Sequence, residues 1–212
     1  MLPLVSSRPR GSAVRVAPAE YLALPLEAHA LLRDVPLHDV SAVDLPNGGS
    51  ERTLADVKRL FFAGDRRRGL ASRALFRLRF AIGRVFGWDE PAPAHTYSDD
   101  RLSGDQRRRS LVAPGTSEGP FRLLYEFPRE SLAEIRNATV HGYACMVLVP
   151  RAEGYRFYLG VYVKPVSRWT PLYMAAIEPF RRFIVYPSML ARLRKDWERA
   201  YSVASKSAAS AP

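Results

Sequence analysis

Two segments rich in Val and Tyr, residues 139–149 and 155–163, place the strongest constraint on how this chain can fold. β-Branched and aromatic residues favour strands, and the four-residue connection between the segments is short enough for a hairpin loop. With that loop length, Met146 is expected to pair with Leu159 across the two strands, and the next pair on the same face is Ala144 with Val161. The sequence therefore predicts an antiparallel sheet built around this hairpin.

Alternation along the hairpin separates two faces of different character. The first face is wholly apolar, and two of its positions, Gly142 and Ala144, leave space above the strands; its members are Val140, Gly142, Ala144, Met146, Leu148, Phe157, Leu159, Val161 and Val163. The second face carries polar and aromatic side chains, among them His141, Tyr143 and Lys164. An apolar sheet face must be covered by another element.

The C-terminal stretch, residues 169–201, is the element best suited to cover that face. Thr170 followed by Pro171 is a helix-start pattern, because a hydroxyl can cap the helix and proline is tolerated at its first position. Apolar residues then recur at spacings of three and four; they are Ile177, Phe180, Ile184, Leu190, Leu193, Trp197 and Tyr201. Pro179 and Pro187 each interrupt the helical hydrogen bonds, so a long, kinked terminal helix is predicted.

The order of the remaining elements completes an α+β prediction. A first strand is expected over residues 35–45, before the turn sequence PNGG, and two helices follow it, with their apolar faces at residues 54–61 and 70–86. A strand at residues 122–127 precedes the long hairpin, and residues 131–135 between them are a weaker strand or a helical turn. This order predicts a helix grip, in which a curved antiparallel sheet wraps around the terminal helix and leaves a cavity between them.

The domain boundaries follow from composition. Residues 1–30 are rich in Pro, Ala, Ser and Arg without a clear period and are interpreted as a flexible N-terminal arm. One domain is predicted over residues 31–203, followed by a disordered tail at 204–212. Residues 88–120 lack periodicity apart from a helical turn near 102–109, and a loop of this length is typical of a lid or of disorder.

Three motifs resemble a known family. Residues 173–187, YMAAIEPFRRFIVYP, are similar to the terminal-helix motif of a bacterial family, domain of unknown function 2867; FGWD at 86–89 and NATVHG at 137–142 agree with it. The order of elements resembles the START-like (Bet v 1-like, SRPBCC) superfamily of ligand-binding domains. The resemblance implies the fold and a pocket, and it implies no reaction.

The function predicted on this basis is binding of a small hydrophobic or amphipathic molecule between the sheet and the terminal helix. The expected lining is Gly142, Ala144, Met146, Phe157, Leu159, Val161, Tyr173, Ile177, Phe180 and Ile184. His141 is a candidate polar anchor, alongside Tyr173. No catalytic residue is assigned, and the chain is interpreted as a binding protein rather than an enzyme.

Two alternatives stay open at this point. An enzyme of the cyclase or isomerase kind on the same fold would need a titratable group in the cavity, for which His141, Tyr173 and Glu178 are the candidates. A charge-driven partner would instead use a ridge of arginines to bind nucleic acid or an anionic membrane; that ridge comprises Arg66, Arg67, Arg68, Arg73, Arg77 and Arg84. The formal net charge of +11 suits such a partner, although a solvated, solubilising face is the preferred interpretation of the ridge.

Several classes of protein are disfavoured by the residue inventory. The four histidines are scattered and Cys145 is the only cysteine, so no metal-binding spacing and no disulfide partner are expected. No glycine-rich strand–turn–helix fingerprint supports a dinucleotide, and no cofactor is predicted. No secretory signal is visible and the longest apolar run is too short to span a bilayer, so a cytoplasmic location is expected.

Overall fold

The structure is a computed structural model that describes residues 14–63, 98–136, 140–166, 174–175, 178–179 and 181–208. The strands within these ranges are β1 (Val14–Arg15), β2 (Leu37–Pro46), β3 (Ser117–Glu118), β4 (Phe121–Glu126), β5 (Glu130–Arg136), β6 (Val140–Arg151) and β7 (Gly154–Pro165). The helices are α1 (Pro18–Leu22), α2 (Glu27–Leu31), α3 (Leu54–Ala63), α4 (Gly104–Arg109) and α5 (Tyr186–Ala208). A 3-10 turn spans Ser98–Arg101, and a π-helical segment spans Arg181–Val185.

The described strands form one antiparallel sheet in the order β1-β2-β7-β6-β5-β4-β3. The β6–β7 hairpin lies at its centre, and Met146 pairs with Leu159 and Ala144 with Val161. The register predicted from the loop length is therefore confirmed. Strand β2 continues the sheet beyond β7, so the strand predicted over residues 35–45 is also present.

The apolar face of the hairpin is covered by α3 and α5. Leu190, Leu193 and Trp197 of α5 are 0–1% exposed, and they form one apolar cluster with Phe157 and Leu159. These helix residues are three and four positions apart, as the helical spacing in the sequence predicted. The α+β prediction of an antiparallel sheet with a C-terminal helix is thus confirmed, and the arrangement is compatible with a helix grip. No described helix is long and apolar enough to cross a membrane.

The opposite face is covered by α1 and α2, which differs from the predicted flexible arm. Tyr21 and Ala28 are completely buried and pack with Tyr143, Tyr158 and Tyr162 of the sheet. These helices have five residues each, too few for a helical period to be visible in the sequence. Residues 14–30 are therefore part of the folded domain.

A buried carboxylate from the sheet holds α2 in place. Glu130, 7% exposed, accepts hydrogen bonds from the backbone N–H of Glu27 (3.1 Å) and of Ala28 (2.9 Å). Its Oε1 also accepts one from the hydroxyl of Tyr125 at 2.5 Å. The side chain of Leu26, the N-cap residue of α2, accepts no hydrogen bond. The free N–H groups at the start of α2 are therefore satisfied by a carboxylate from a strand that is distant in sequence.

Much of the predicted lid is also structured. Ser103 and Gln106 form a reciprocal capping box at the start of α4, and Gln106 donates a hydrogen bond to the carboxylate of Glu27 at 2.9 Å. Leu102 belongs to the apolar cluster beneath α1 and α2. Residues 98–120 thus pack against the domain, while residues 88–97, the second predicted helix and the arginine ridge lie outside the described residues.

The terminal helix continues further than predicted. α5 extends to Ala208, so residues 204–208 are helical rather than part of the expected tail. At its start, Pro187 has no N–H to donate to the carbonyl of Phe183, and the chain forms a π-helical turn just before it. The hydroxyl of Ser188 donates to the carbonyl oxygens of Ile184 (2.5 Å) and Val185 (3.0 Å). The predicted interruption at Pro187 therefore takes the form of a widened turn with a side-chain donor.

A stability prediction follows from the packing of Tyr21 on β7. A Cβ at Gly160 would lie 2.5 Å from the hydroxyl oxygen of Tyr21, whose side chain is fully buried. Gly160→Ala is expected to lower the free energy of unfolding by about 1–3 kcal/mol, the usual cost of overpacking a core. The measurement is urea unfolding followed by circular dichroism.

Gly142→Ala is the matched control for this variant. A Cβ at Gly142 would meet no atom closer than 3.5 Å, so its stability should change little. Equal stabilities of the two variants would contradict the close packing of Tyr21 on Gly160.

Candidate functional site

A cleft of about 190 Å³ lies between the edge of the sheet and the start of the terminal helix. Its lining residues are Arg15, Asp39, Ser41, Glu178, Arg182, Phe183, Tyr186, Pro187 and Leu190. Arg15 belongs to β1, and Asp39 and Ser41 belong to β2. The other residues come from the helical chain around the π-helical segment, so the widened turn before Pro187 forms one wall of the cleft.

The position of Asp39 and Ser41 follows from the alternation of β2. Val43 and Leu45 point towards α5 and join its apolar cluster, whereas Val40 and Ala42 belong to the cluster on the opposite face. Because side chains alternate along a strand, Ser41 and Asp39 continue the α5 side of β2. The face that α5 covers therefore changes from apolar to polar where the cleft begins.

A buried ion pair joins β2 to the π-helical segment. Arg181 Nη2 lies 3.1 Å from Asp39 Oδ2, and the two side chains are only 16% and 12% exposed. Arg181 Nε also donates to the hydroxyl of Tyr186 at 2.8 Å, and its guanidinium lies 5.2 Å from the centre of the Tyr186 ring. Burial raises the pKa of the Tyr186 hydroxyl to about 12, so this group is a neutral donor and acceptor at pH 7.

Asp39 is incompletely satisfied in this arrangement. Its Oδ1 is buried and has no hydrogen-bond partner, unlike its Oδ2. Burial raises the pKa of Asp39, and the attraction of Arg181, His38 and Arg15 only partly opposes it. An unpaired buried acceptor of this kind is uncommon in folded proteins.

Two arginines line the cleft without a salt bridge among the described residues. Arg15 and Arg182 are both exposed, and in the described part of the chain neither forms a salt bridge with a carboxylate. The guanidinium of Arg182 lies 5.3 Å from the centre of the Phe183 ring, and Phe183 is itself 69% exposed. The cleft thus combines unpaired positive charge with an apolar wall of Phe183, Pro187 and Leu190.

The residues predicted to line a pocket are brought together only in part. Ala144, Met146, Phe157, Leu159 and Val161 share the sheet face and pack in the apolar cluster of α5, and Gly142 is buried on the same strand. Side chains of α5 pack on this face, and the cleft lies beside it. Ile184 is 49% exposed, while Tyr173, Ile177 and Phe180 lie outside the described residues.

His141 is not near the cleft. Its Nε2 lies 2.8 Å from Oε2 of Glu134, and its ring lies 4.6 Å from that of Tyr143, which belongs to the cluster on the opposite face. His141 is therefore corrected from a polar anchor beneath the terminal helix to a partner of Glu134. Glu178, one of the titratable candidates, does line the cleft.

Sequence reasoning did not identify Arg15, Asp39, Ser41, Arg182 or Tyr186. A signal was present for two of them, because alternation places Asp39 and Ser41 on the same face of the predicted strand as the apolar residues Val43 and Leu45. Nothing in the sequence indicates that Arg181 reaches Asp39 across 142 positions.

Other reactive groups do not form a site among the described residues. No three His, Cys, Asp or Glu side chains there are arranged to hold a metal ion. Cys145 is buried, and burial raises its pKa, so the thiol is not activated as a nucleophile.

Comparison with known proteins gives one match. The model of a family described as "Protein of unknown function (DUF2867)" matches residues 31–188, which is more than half of the chain. No curated protein and no solved structure matches the chain.

Proposed function

Because the chain belongs to the DUF2867 family, for which no function is known, we propose a function from the geometry: the protein binds a small amphipathic anion in the cleft between β1–β2 and the π-helical segment. This is a more specific form of the ligand-binding function predicted from the sequence. The START-like relationship and the cytoplasmic location are part of the same proposal. Its main support is that Arg15 and Arg182, which form no salt bridge among the described residues, line the same cleft as an apolar wall.

The size of the cleft limits the ligand. A volume of about 190 Å³ is slightly above the roughly 150 Å³ of an engineered cavity that accepts benzene. It is below the roughly 300–1,000 Å³ typical of pockets for drug-sized molecules. The ligand is therefore a single ring or a short branched chain with one polar head.

The charges determine the kind of head group. Arg15 and Arg182 present guanidinium groups, which bind carboxylates and phosphates through parallel hydrogen bonds. Asp39 forms its salt bridge with Arg181, and its attraction to Arg15 involves no salt bridge, so both guanidinium groups can still bind an anionic ligand. An anionic head placed between Arg15 and Arg182 would leave the apolar part of the ligand against Phe183, Pro187 and Leu190.

The test uses 3-phenylpropanoate, an anion of suitable size, with the full chain. We expect binding by isothermal titration calorimetry, and weakening of about tenfold or more in the double variant Arg15→Gln/Arg182→Gln, since charge-assisted hydrogen bonds are lost. The neutral analogue 3-phenylpropanamide should bind more weakly than the acid to the unmodified protein. Native mass spectrometry of the purified protein checks independently for a bound small molecule.

Arg33→Gln/Arg129→Gln is the matched control. Both arginines are exposed and neither lines the cleft, so this double variant removes the same amount of charge elsewhere. Equal loss of binding in the control would indicate a general effect of net charge. Absence of binding by the acid, together with absence of any co-purified ligand, would refute the proposal.

A further inference from the structure

The π-helical segment before α5 carries a pair of adjacent, exposed apolar side chains. Phe183 is 69% exposed and Ile184 is 49% exposed, whereas Leu190 and Leu193 of the helix that follows are buried. Single exposed apolar side chains are common on proteins, but neighbouring ones with a polar rim mark a binding surface for a protein or a membrane. π-Helical turns are rare and are frequent at functional sites.

The exposed charge beside this apolar pair is cationic. Arg182 is exposed and forms no salt bridge among the described residues, and its guanidinium lies 5.3 Å from the centre of the Phe183 ring. Arg15, which is also exposed, lines the same cleft. Of the two carboxylates in the lining, Asp39 is held in a buried ion pair and Glu178 is half-buried. The apolar pair and a free guanidinium group are therefore presented to solvent together.

We propose that Arg182, Phe183 and Ile184, here called the 182–184 surface, bind a lipid bilayer that contains anionic lipids. The two apolar side chains insert between the lipid tails near the headgroups. The guanidinium group of Arg182 stays at the level of the phosphates, because a long cationic side chain can bury its stem and keep its charge in water. This inference goes beyond the proposed small-molecule function, and it is measured separately from it.

The size of the apolar patch favours a bilayer over a protein partner. A standard protein interface buries about 800 Å² on each side, and one aromatic side chain buries roughly 150–250 Å². Two partly exposed side chains supply only a fraction of such an interface. A bilayer accepts them without a complementary shape, and its anionic headgroups complement both Arg182 and the formal net charge of +11.

Nucleic acid satisfies only half of this surface. Its phosphates would pair with Arg182, but a phosphate backbone offers nothing apolar for Ile184 to contact. A lipid headgroup layer provides anionic phosphates and hydrocarbon at adjacent depths, which is the arrangement of charge and apolar side chains on the 182–184 surface.

Both contributions to binding are large enough to measure. Full burial of one large apolar side chain changes a partition constant by roughly ten- to hundredfold. One cationic residue near an anionic membrane surface contributes about fivefold. The electrostatic contribution decreases as the ionic strength rises, whereas the apolar contribution does not depend on charge.

The test is co-sedimentation of the full chain with vesicles of phosphatidylcholine alone and of a two-to-one mixture of phosphatidylcholine and phosphatidylserine. We expect binding to the mixed vesicles to be about tenfold tighter than to the neutral ones and to decrease with added salt. Phe183→Ser/Ile184→Ser should weaken binding to the mixed vesicles by about tenfold or more. Arg182→Gln should weaken it by about fivefold.

Matched controls remove the same kinds of side chain elsewhere on the surface. Leu22→Ser/Leu111→Ser replaces two apolar side chains that are 50% and 62% exposed, and it should bind the mixed vesicles as the unmodified protein does. Arg33→Gln replaces an exposed arginine that does not line the cleft and is the control for Arg182→Gln. All these positions are exposed, so circular dichroism should show the same fold in every variant.

Each contrary outcome overturns the inference. Absence of binding to the mixed vesicles would refute it, and equal binding to both kinds of vesicle would refute the role of the anionic lipid. Binding that persists in Phe183→Ser/Ile184→Ser would show that another cationic surface, such as the predicted arginine ridge, contacts the lipid. An equal loss in Leu22→Ser/Leu111→Ser would show that the effect is not specific to the 182–184 surface. Because no small acid is present in this experiment, none of these results bears on the proposed function.

Discussion

Trp197→Ala is expected to lower the free energy of unfolding by about 3–5 kcal/mol, the usual cost of truncating a buried aromatic side chain. Trp197 is completely buried and lies edge-on to the rings of Tyr155 and Tyr201, at 5.8 Å and 4.5 Å. Its Nε1 donates to the carbonyl oxygen of Pro46 at 3.0 Å. The variant therefore creates a cavity and leaves a carbonyl without its donor.

Trp197→Phe separates these two contributions. It keeps most of the ring packing and loses the N–H, so a smaller loss of about 1–2 kcal/mol is expected. The measurement for both variants is urea unfolding followed by far-ultraviolet circular dichroism, which does not depend on tryptophan fluorescence.

Phe183→Ala serves as the control for truncating an aromatic residue near the start of the same helix. Phe183 is 69% exposed, so its loss should change stability by no more than about 0.5 kcal/mol. If Trp197→Ala were as stable as Phe183→Ala, α5 would not be docked on the sheet, and the cleft described above would lose one wall.

Glu130→Ala is expected to lower the free energy of unfolding by about 3 kcal/mol or more. The substitution removes the acceptor of three hydrogen bonds, from the hydroxyl of Tyr125 and from the N–H groups of Glu27 and Ala28. Each unpaired buried group costs about 1–3 kcal/mol. Since two of these donors form the start of α2, the loss should be concentrated in residues 14–31.

Hydrogen exchange provides the measurement that locates the effect. The amides of residues 14–31 should lose protection in Glu130→Ala at a denaturant concentration where β6 and β7 stay protected. Tyr125→Phe removes only one donor and should cost less. Glu153→Ala, at an exposed position in the hairpin turn, is the surface control. Uniform loss of protection over the sheet would contradict the specific role assigned to Glu130.

The N-terminal region illustrates where pattern reasoning stops. The helices α1 and α2 are each shorter than two helical turns, so their apolar residues cannot show a period. Tyr21 packs against the sheet, and Glu130 accepts hydrogen bonds at the start of α2. Glu130 and its partner Ala28 are more than 100 positions apart in the sequence. Composition alone therefore suggested an arm where the chain is packed.

The hairpin and the terminal helix illustrate the opposite case. Loop length and alternation were enough to predict that Met146 pairs with Leu159, and helical spacing was enough to predict the buried residues Leu190, Leu193 and Trp197. Both features are local, because a strand repeats every two residues and a helix every 3.6. A sequence carries such repeats whatever lies around them.

The cleft depends on contacts that have no local pattern. Asp39 belongs to the second strand and Arg181 to a π-helical turn near the C-terminus, and they meet because the sheet order places β2 beside the start of α5. The amino-acid pattern was sufficient for the elements and for the apolar faces they bury. The positions of the charged residues around the cleft, and therefore the class of ligand proposed, follow only from the tertiary structure. Charged residues meet because they are close in space, and no spacing along the sequence shows this.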